Sequence, residues 1–437
     1  MAVLAACSAS PGTPSPAASA TPSTLSDDER QKALNTPTDL TFWTWVPEIA
    51  GEIALFQKAY PNIKVKVENV GQGADHYRKM RTVLTSGQGV PDVAQVEFQY
   101  IQSFTVTKNL LDLAPYGAAA LAPQFTDWVW KQVQFGSNVW AIPQDAGPLG
   151  SLYRQDIMEA AGASGEVKTW DEYYELAKKI KANTKSYIGS LSPNEAGIIM
   201  GYLWQAGAKP FSYDGDATVK INLTDEISTK VMTFWQKMLK EELVANDAAW
   251  TDGWYQGLAN GKYAGWLTAA WGPVFLQGTA GKTSGKWRAT TLPQWDAGAN
   301  ISGNWGGSSN VVLNTSKNPI AAYELATWIN TNIESTLMFA NKQFFFPVTK
   351  ATIEDPRFVD QKAAFYGGQQ VNKLFSEISN TVDPTFGWLP FMDVVYSSFS
   401  DTIGKQIASR GDLLAGMAAW EKTLTDYGTA QGFTVTK

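Results

Sequence analysis

Between residues 39 and 108 the hydrophobic period switches repeatedly between two and about 3.6 residues, and few architectures satisfy such a pattern. Residues 39–46 read as a strand, with Leu40, Phe42 and Thr44 on one face and Thr41, Trp43 and Trp45 on the other. Residues 48–60 place Ile49, Ile53 and Phe56 on one helical stripe, which Pro61 ends. Residues 63–70 alternate again, Ile63, Val65 and Val67 against Lys64, Lys66 and Glu68. A helix over 75–86 carries Tyr77, Met80 and Leu84 and runs out at Gly87 and Gly89. Residues 92–98 then form a buried strand and 100–108 a further helix. This βαβαβ order predicts an open, mostly parallel sheet whose ligands lie beyond the carboxyl ends of its strands.

After residue 138 the rhythm loosens. Residues 138–143 read as a strand leaving the first domain, followed by Asp145-Ala146-Gly147-Pro148 and a second strand through Leu152-Tyr153-Arg154. Thr169 can cap a helix and Glu172 can close the box three residues on; the stripe is Trp170, Tyr173, Ala177 and Ile180. Asp225-Glu226 starts a helix over 225–240 with Ile227, Val231, Phe234 and Met238 on its apolar side. A zone dense in glycine and aromatics covers 253–307, and helices return at 319–333, 390–408 and 412–427. A chain of 437 residues exceeds what one growing core serves, so two domains are expected. Residues 8–26, uncharged and built almost entirely of Ser, Ala, Pro and Thr, cannot bury enough apolar surface to fold and read as a flexible tether.

Composition removes whole classes of chemistry. A net charge of −6 with no Lys/Arg block argues against nucleic acid. Past Cys7 no apolar run approaches the ~18 residues of a membrane-spanning helix. Cys7 is the single cysteine, so neither an internal disulfide nor a catalytic thiol in the folded body is available. His76 is the single histidine, which excludes Cys/His zinc sites and leaves Ser-His-Asp chemistry only through that residue. It sits in Ala74-Asp75-His76-Tyr77-Arg78, an apparent helix start, where it is expected to be solvated or to cap. Eighteen Trp, 16 Tyr and 20 Phe are the opposite extreme. An indole covers an apolar face while its N–H still hydrogen-bonds, and sugar rings present such a face with hydroxyls around the rim. A Trp-rich, His-poor, acidic chain points toward carbohydrate, with most of these rings in the core.

Two resemblances follow. Leu4-Ala5-Ala6-Cys7, small residues before a lone cysteine and ahead of the tether, resembles a bacterial lipobox, which implies lipidation of Cys7 and a body held at the outer face of the cytoplasmic membrane. The longer series begins with Phe42-Trp43-Thr44-Trp45, Phe56 to Tyr60-Pro61-Asn62-Ile63-Lys64-Val65 and Gly89-Val90-Pro91-Asp92-Val93. It continues with Trp140-Ala141-Ile142-Pro143, Leu152-Tyr153-Arg154, Thr169-Trp170-Asp171-Glu172-Tyr173, and Asn260-Gly261-Lys262-Tyr263-Ala264 to Trp271-Gly272-Pro273. Leu292-Pro293, Trp305-Gly306-Gly307-Ser308, Phe346-Pro347 and Asp355-Pro356-Arg357-Phe358 complete it. In this order the chain resembles the family 1 solute-binding proteins of bacterial carbohydrate ABC importers, the maltodextrin- and glycerol-phosphate-binding superfamily. The resemblance implies an α/β, two-lobed periplasmic-binding-protein fold of type II with a hinge of crossing segments. On that pattern residues 1–37 are a signal-peptide remnant, lipobox and tether. Residues 38–143 and 305–345 form the N-terminal lobe, 148–293 and 350–437 the C-terminal lobe, and 144–147, 294–304 and 346–349 cross between them.

The implied ligand is a di- to oligosaccharide and the implied partners are ABC permease transmembrane subunits. A monomer is expected, with no cofactor, no metal, no catalysis, and membrane contact only through the lipid. Trp43 and Trp45 end the first strand, where one ring should face the cleft; Glu97, Gln99 and Tyr100 follow the third strand at the same edge. Where some relatives place an Asp or Arg after the Pro-Asp-Val strand, this chain has those three residues. Asp145 stands in a loop framed by Gly and Pro without an obvious partner. Trp271 with Gly272, and Trp305 with Gly306 and Gly307, are candidate platforms, since flanking glycines admit a ligand closely. Trp388 opens the late helix that carries a stacking aromatic in the family, and Trp204 and Trp254 complete the candidates. Two other readings stay open: a secreted glycosidase using Asp145 and Glu97, and an anchored adhesin or sensor that binds glycans without transport.

Overall fold

The computed structural model describes residues 25–437, so Cys7 and most of the expected tether lie outside the described residues. The first lobe is built on a five-stranded sheet. Thr38–Trp43 pairs in parallel with Ile63–Glu68 on one side and with Val93–Glu97 on the other. Ser308–Val312 then adds antiparallel to Val93–Glu97, and Ile142–Pro143 antiparallel to Ser308–Val312. The parallel core is what the alternating periods predict. The antiparallel edge arises because Ser308–Val312 enters this sheet from the other lobe, at the end where the parallel strands leave. In the second lobe Leu149–Arg154 is the central strand, antiparallel to both Gly265–Ala269 and Trp287–Thr291. A smaller sheet joins Phe211–Tyr213, Thr218–Ile221 and Thr434–Thr436. Among the described residues no helix is long and apolar enough to cross a membrane.

Two expectations need correction. The expected tether ends early: Asp27–Asn35 is a helix. Ser26 Oγ accepts the Glu29 N–H at 3.3 Å while the Glu29 carboxylate accepts the Ser26 N–H at 3.1 Å, a capping box legible in the sequence. Arg30 anchors this helix to the buried Glu324 at 2.6 Å, and Glu324 also accepts from the Tyr60 hydroxyl at 2.5 Å. The helix Glu226–Lys240 turns a different side inward than expected. Val231 and Met238 are buried, but Ile227 is exposed and Phe234 partly so, and Met232, Trp235 and Leu239 take their place because Trp235 stacks 4.8 Å from Tyr202. By contrast Trp170, Tyr173, Ala177 and Ile180 are all buried, and Thr169 caps Trp170–Asn183.

Between the sheets the chain passes twice in opposite directions, backbone against backbone. Leu149 N–H donates to Gly303 O at 3.0 Å, Trp305 N–H to Gly147 O at 2.8 Å, and Gln144 N–H to Ser308 O at 2.9 Å. A third passage joins through Ala146 N–H and Phe346 O at 3.1 Å. On the far side, Arg81 of the helix Ala74–Ser86 pairs with Asp393 at the start of Met392–Phe399. Both side chains are over a third exposed, and such pairs contribute about 0–1 kcal/mol. The close crossing sets the geometry. A Cβ on Gly147 would lie 1.9 Å from the Trp305 carbonyl oxygen, and backbone cannot swing aside as a side chain can. Gly147→Ala should therefore destabilise the fold by more than about 2 kcal/mol, read as a lowered thermal midpoint. Gly253→Ala, whose Cβ would meet nothing within 4 Å, should leave that midpoint unchanged or slightly raised.

Candidate functional site

The strand ends and the crossings bring one group of residues to the mouth between the lobes. Asp145 sits on the first crossing and is almost wholly buried. Its Oδ1 accepts the Ser308 N–H at 3.0 Å and the Ser308 hydroxyl; its Oδ2 has no partner among the described residues. Burial pushes its carboxyl up to about 6, against the two Ser308 hydrogen bonds that pull it down. Glu97 ends the third strand. Its Oε2 accepts the Tyr77 hydroxyl at 3.0 Å and its Oε1 the Gln99 amide at 3.2 Å. Burial raises it to about 7, opposed by those two hydrogen bonds and reinforced by the charges of Asp145 and Glu195. The field of Glu195 also reaches Tyr100 and Tyr396, whose rings face each other across the lobes at 6.0 Å.

Beside these acids stands an aromatic shelf. Trp271 and Trp305 meet edge to face at 4.7 Å, and the Trp271 N–H donates to the Trp305 carbonyl at 3.0 Å. Trp250 lies 5.9 Å from each. It is 36% exposed, takes φ 68°, and donates its N–H to Glu195 Oε2 at 2.7 Å. Phe275, 49% exposed, extends the shelf 5.8 Å beyond Trp271. Glycines make room: a Cβ on Gly197 would stand 2.3 Å from Trp305 Nε1, and Gly306 and Gly307 both take positive φ. Gly272 packs on Thr268, where a Cβ would come within 2.4 Å. Neither Glu195 nor Trp250 stood out in the sequence. In the structure Glu195 also caps Ala196–Gln205 by accepting the Gly197 N–H; in the sequence only the neighbouring Trp254 drew notice.

Other candidates lie elsewhere. Trp204 is fully buried, stacked 4.5 Å from Phe386, with its N–H on the Asp383 carbonyl. Trp388 completes that cluster and donates to Gln132 at 2.6 Å; the following helix begins only at Met392. Trp254 donates to Ser190 at 3.0 Å beneath the shelf. Trp43 donates to Glu68 at 2.9 Å and is buried. With faces covered and N–H groups satisfied, these four rings pack the lobes. Trp45 is half-buried, 5.0 Å from His76. His76 itself is not solvated and caps nothing: it is fully buried between Trp43, Trp45 and Tyr77, and burial lowers it to about 4. Among the described residues no group of His, Cys, Asp or Glu is placed to hold a metal.

The raised acids make stability depend on pH with a definite sign. Folded Glu97 keeps its proton from about pH 4.5 up to about pH 7, whereas an unfolded glutamate has lost it over that range. The folded state binds more protons there, so folding stability falls as pH rises through the window. Glu97→Gln should remove that slope, flattening the decline between pH 5 and pH 8 by roughly 1–3 kcal/mol; thermal melts at several pH values of both proteins measure it. An unchanged slope would place the titration elsewhere.

Known proteins share this fold. Residues 42–334 match the family described as bacterial extracellular solute-binding protein. The lactose-binding protein of Rhizobium radiobacter is 27% identical over 303 residues, covering 64% of this chain and 67% of that one. An ABC-transporter-associated binding protein from B. animalis subsp. lactis Bl-04, solved with β-1,6-galactobiose, superposes with a TM-score of 0.78 at 32% identity, covering 92% of this chain and all of that one. The galacto-N-biose-/lacto-N-biose I-binding protein of Bifidobacterium longum, solved with lacto-N-biose, gives 0.80 at 26% identity over 91% of this chain and 98% of that one. The chain has the two-lobed type II fold of periplasmic sugar-binding proteins and belongs to the bacterial extracellular solute-binding protein family.

Proposed function

We propose that this protein is the carbohydrate-capturing subunit of an ABC importer: it closes on a neutral di- to tetrasaccharide between its lobes and delivers it to the transmembrane permease subunits without chemical change. The observation that carries this reading is the open shelf of Trp250, Trp271 and Trp305 set beside the carboxylates of Asp145, Glu97 and Glu195. Indole faces take the C–H side of a pyranose, and carboxylates accept its hydroxyls. The same acids repel an anionic sugar. With Phe275 prolonging the shelf, more than one ring finds a platform.

Ligand that binds only the folded state raises its melting temperature. The sugars of the three relatives above are the first to screen, with monosaccharides and uronic-acid disaccharides as contrasts. A shift with neutral disaccharides alone is the expected result, and a shift with another solute class and no sugar overturns the assignment. By isothermal titration Trp271→Ala and Trp305→Ala should each weaken binding by more than the ~0.5–1.5 kcal/mol of a rim hydrogen bond. Near-native affinity in both would make these rings packing residues.

Anchoring rests on the lipobox resemblance. A single acyl chain holds a protein only marginally, so the diacylglyceryl group of a lipidated Cys7 is what keeps the body near its permease. Cys7→Ser in a full-length precursor should shift the protein from the membrane fraction to the medium. Continued membrane retention would refute the anchor.

A further inference from the structure

Asp145 is held on one side only, and what fixes that side can be followed atom by atom. Its Oδ1 takes both Ser308 donors, and its Oδ2 takes none among the described residues. A serine hydroxyl has one proton to give. Here it goes to Asp145 because the oxygen is approached from behind by Gln95 Nε2 at 2.8 Å. The orientation of the Gln95 amide is forced in turn. Its Oε1 accepts the Trp45 N–H at 3.2 Å, and a backbone N–H can only donate. It also accepts the Thr44 hydroxyl at 2.7 Å, whose oxygen is already occupied by the Val46 N–H at 3.1 Å. Two backbone donors at the end of the first strand therefore set the polarity of a chain that runs Thr44, Gln95, Ser308, Asp145. Gln95, Ser308 and Thr44 are all buried, so no solvent competes for these donors.

We infer that Gln95 is a positioning residue of the ligand site: it transmits hydrogen-bond polarity from the strand end carrying Trp45 to Ser308, so that Asp145 is fixed with Oδ1 occupied and Oδ2 presented to a ligand hydroxyl. This rests on the reading of Asp145 as a ligand acceptor. Gln95 touches no ligand itself. It links the strand end to the crossing on which Asp145 stands, and it does so with the one side chain of its shape that accepts at one end and donates at the other. Glutamate has that shape but accepts at both ends. In Gln95→Glu the Ser308 hydroxyl turns back to residue 95, so Asp145 loses that donor and keeps only the Ser308 N–H, while the Thr44 hydroxyl and the Trp45 N–H keep their acceptor. Protonation of the introduced carboxyl restores a donor and with it the original polarity.

The test is isothermal titration of the full chain with β-1,6-galactobiose, or with the disaccharide giving the largest melting shift. At pH 8 Gln95→Glu should weaken binding about tenfold, and its disadvantage against the native protein should shrink as the pH is lowered. In an Asp145→Asn background the same change should add less than about twofold, because its effect passes through Asp145. Carboxyl NMR of Asp145 reads the relay without a ligand. Its titration should move up in both Gln95→Glu and Ser308→Ala, the second serving also if the first folds poorly. An equal loss in both backgrounds, a pH-independent affinity ratio, or an unmoved Asp145 titration would reduce Gln95 to a structural residue and overturn the inference. If Asp145→Asn alone leaves affinity unchanged, the reading of Asp145 fails instead and the inference falls with it.

Discussion

Where the two crossing segments meet, the peptide planes of Gly147 and Trp305 lie against each other with no side chain between, and the site is a consequence of that contact. Gly147 O takes the Trp305 N–H, Asn304 Oδ1 takes the Gly147 N–H at 2.9 Å, and Ser308 closes on Asp145 three residues further along. One short antiparallel ladder thus fixes an acid on one strand and an indole on the other. A residue with a Cβ at 147 would separate them. What this ladder adds is the relation between the two sheets, and a cleft exists because that relation is narrow and defined.

Buried carboxylates are costly unless donors reach them, and here the donors are rationed. Among the described residues Glu97 has Tyr77 and Gln99, Glu195 has Gly197 and Trp250, and Asp145 has only Ser308. All three acids titrate above their ordinary range for the same first reason, burial. The aromatic shelf contributes to that burial, because rings that exclude water on one side of the cleft lower the polarity felt on the other. Trp250 serves both purposes at once: its edge satisfies Glu195 while its face stays open.

How much of this could be read from the sequence depends on whether the deciding signal was local. The strands of the first lobe, the capped helix after Thr169 and the stripe Trp170, Tyr173, Ala177 and Ile180 follow from periodicity and capping, which are properties of a few neighbouring residues. The resemblance carried the two-lobed fold. Asp145, Trp271 and Trp305 were nominated because glycine and proline flank them, and the structure does bring these three together. The helix Asp27–Asn35 was missed although Ser26 and Glu29 spell its cap, since the charge-free run before it set the expectation for the whole segment. Trp204, Trp254 and Trp388 look no different in sequence from Trp271. What separates them is whether another ring, as Phe386 does for Trp204, has already taken the face. That is decided by a residue 182 positions away and has no local mark. Glu195 and Gln95 were invisible for the same reason: each matters through a partner distant in sequence, Trp250 for one and Ser308 for the other.

Binding to these acids would therefore change more than contacts. The acids hold protons to higher pH than free carboxylates do, because burial disfavours their charge and too few donors oppose it. On the proposed reading, each sugar hydroxyl that donated to Asp145 or Glu97 would stabilise the ionised form, so a neutral ligand entering the cleft would expel protons, and its affinity would rise with pH over the range in which the fold itself loses stability. The two slopes have opposite signs because they express one quantity, the free energy of holding a carboxylate charged in that place. Stacking has no such dependence. On the same proposed reading, the indole shelf would set how much binding remains when the acids are protonated, and the acids would set how strictly hydroxyl positions are distinguished once they are not.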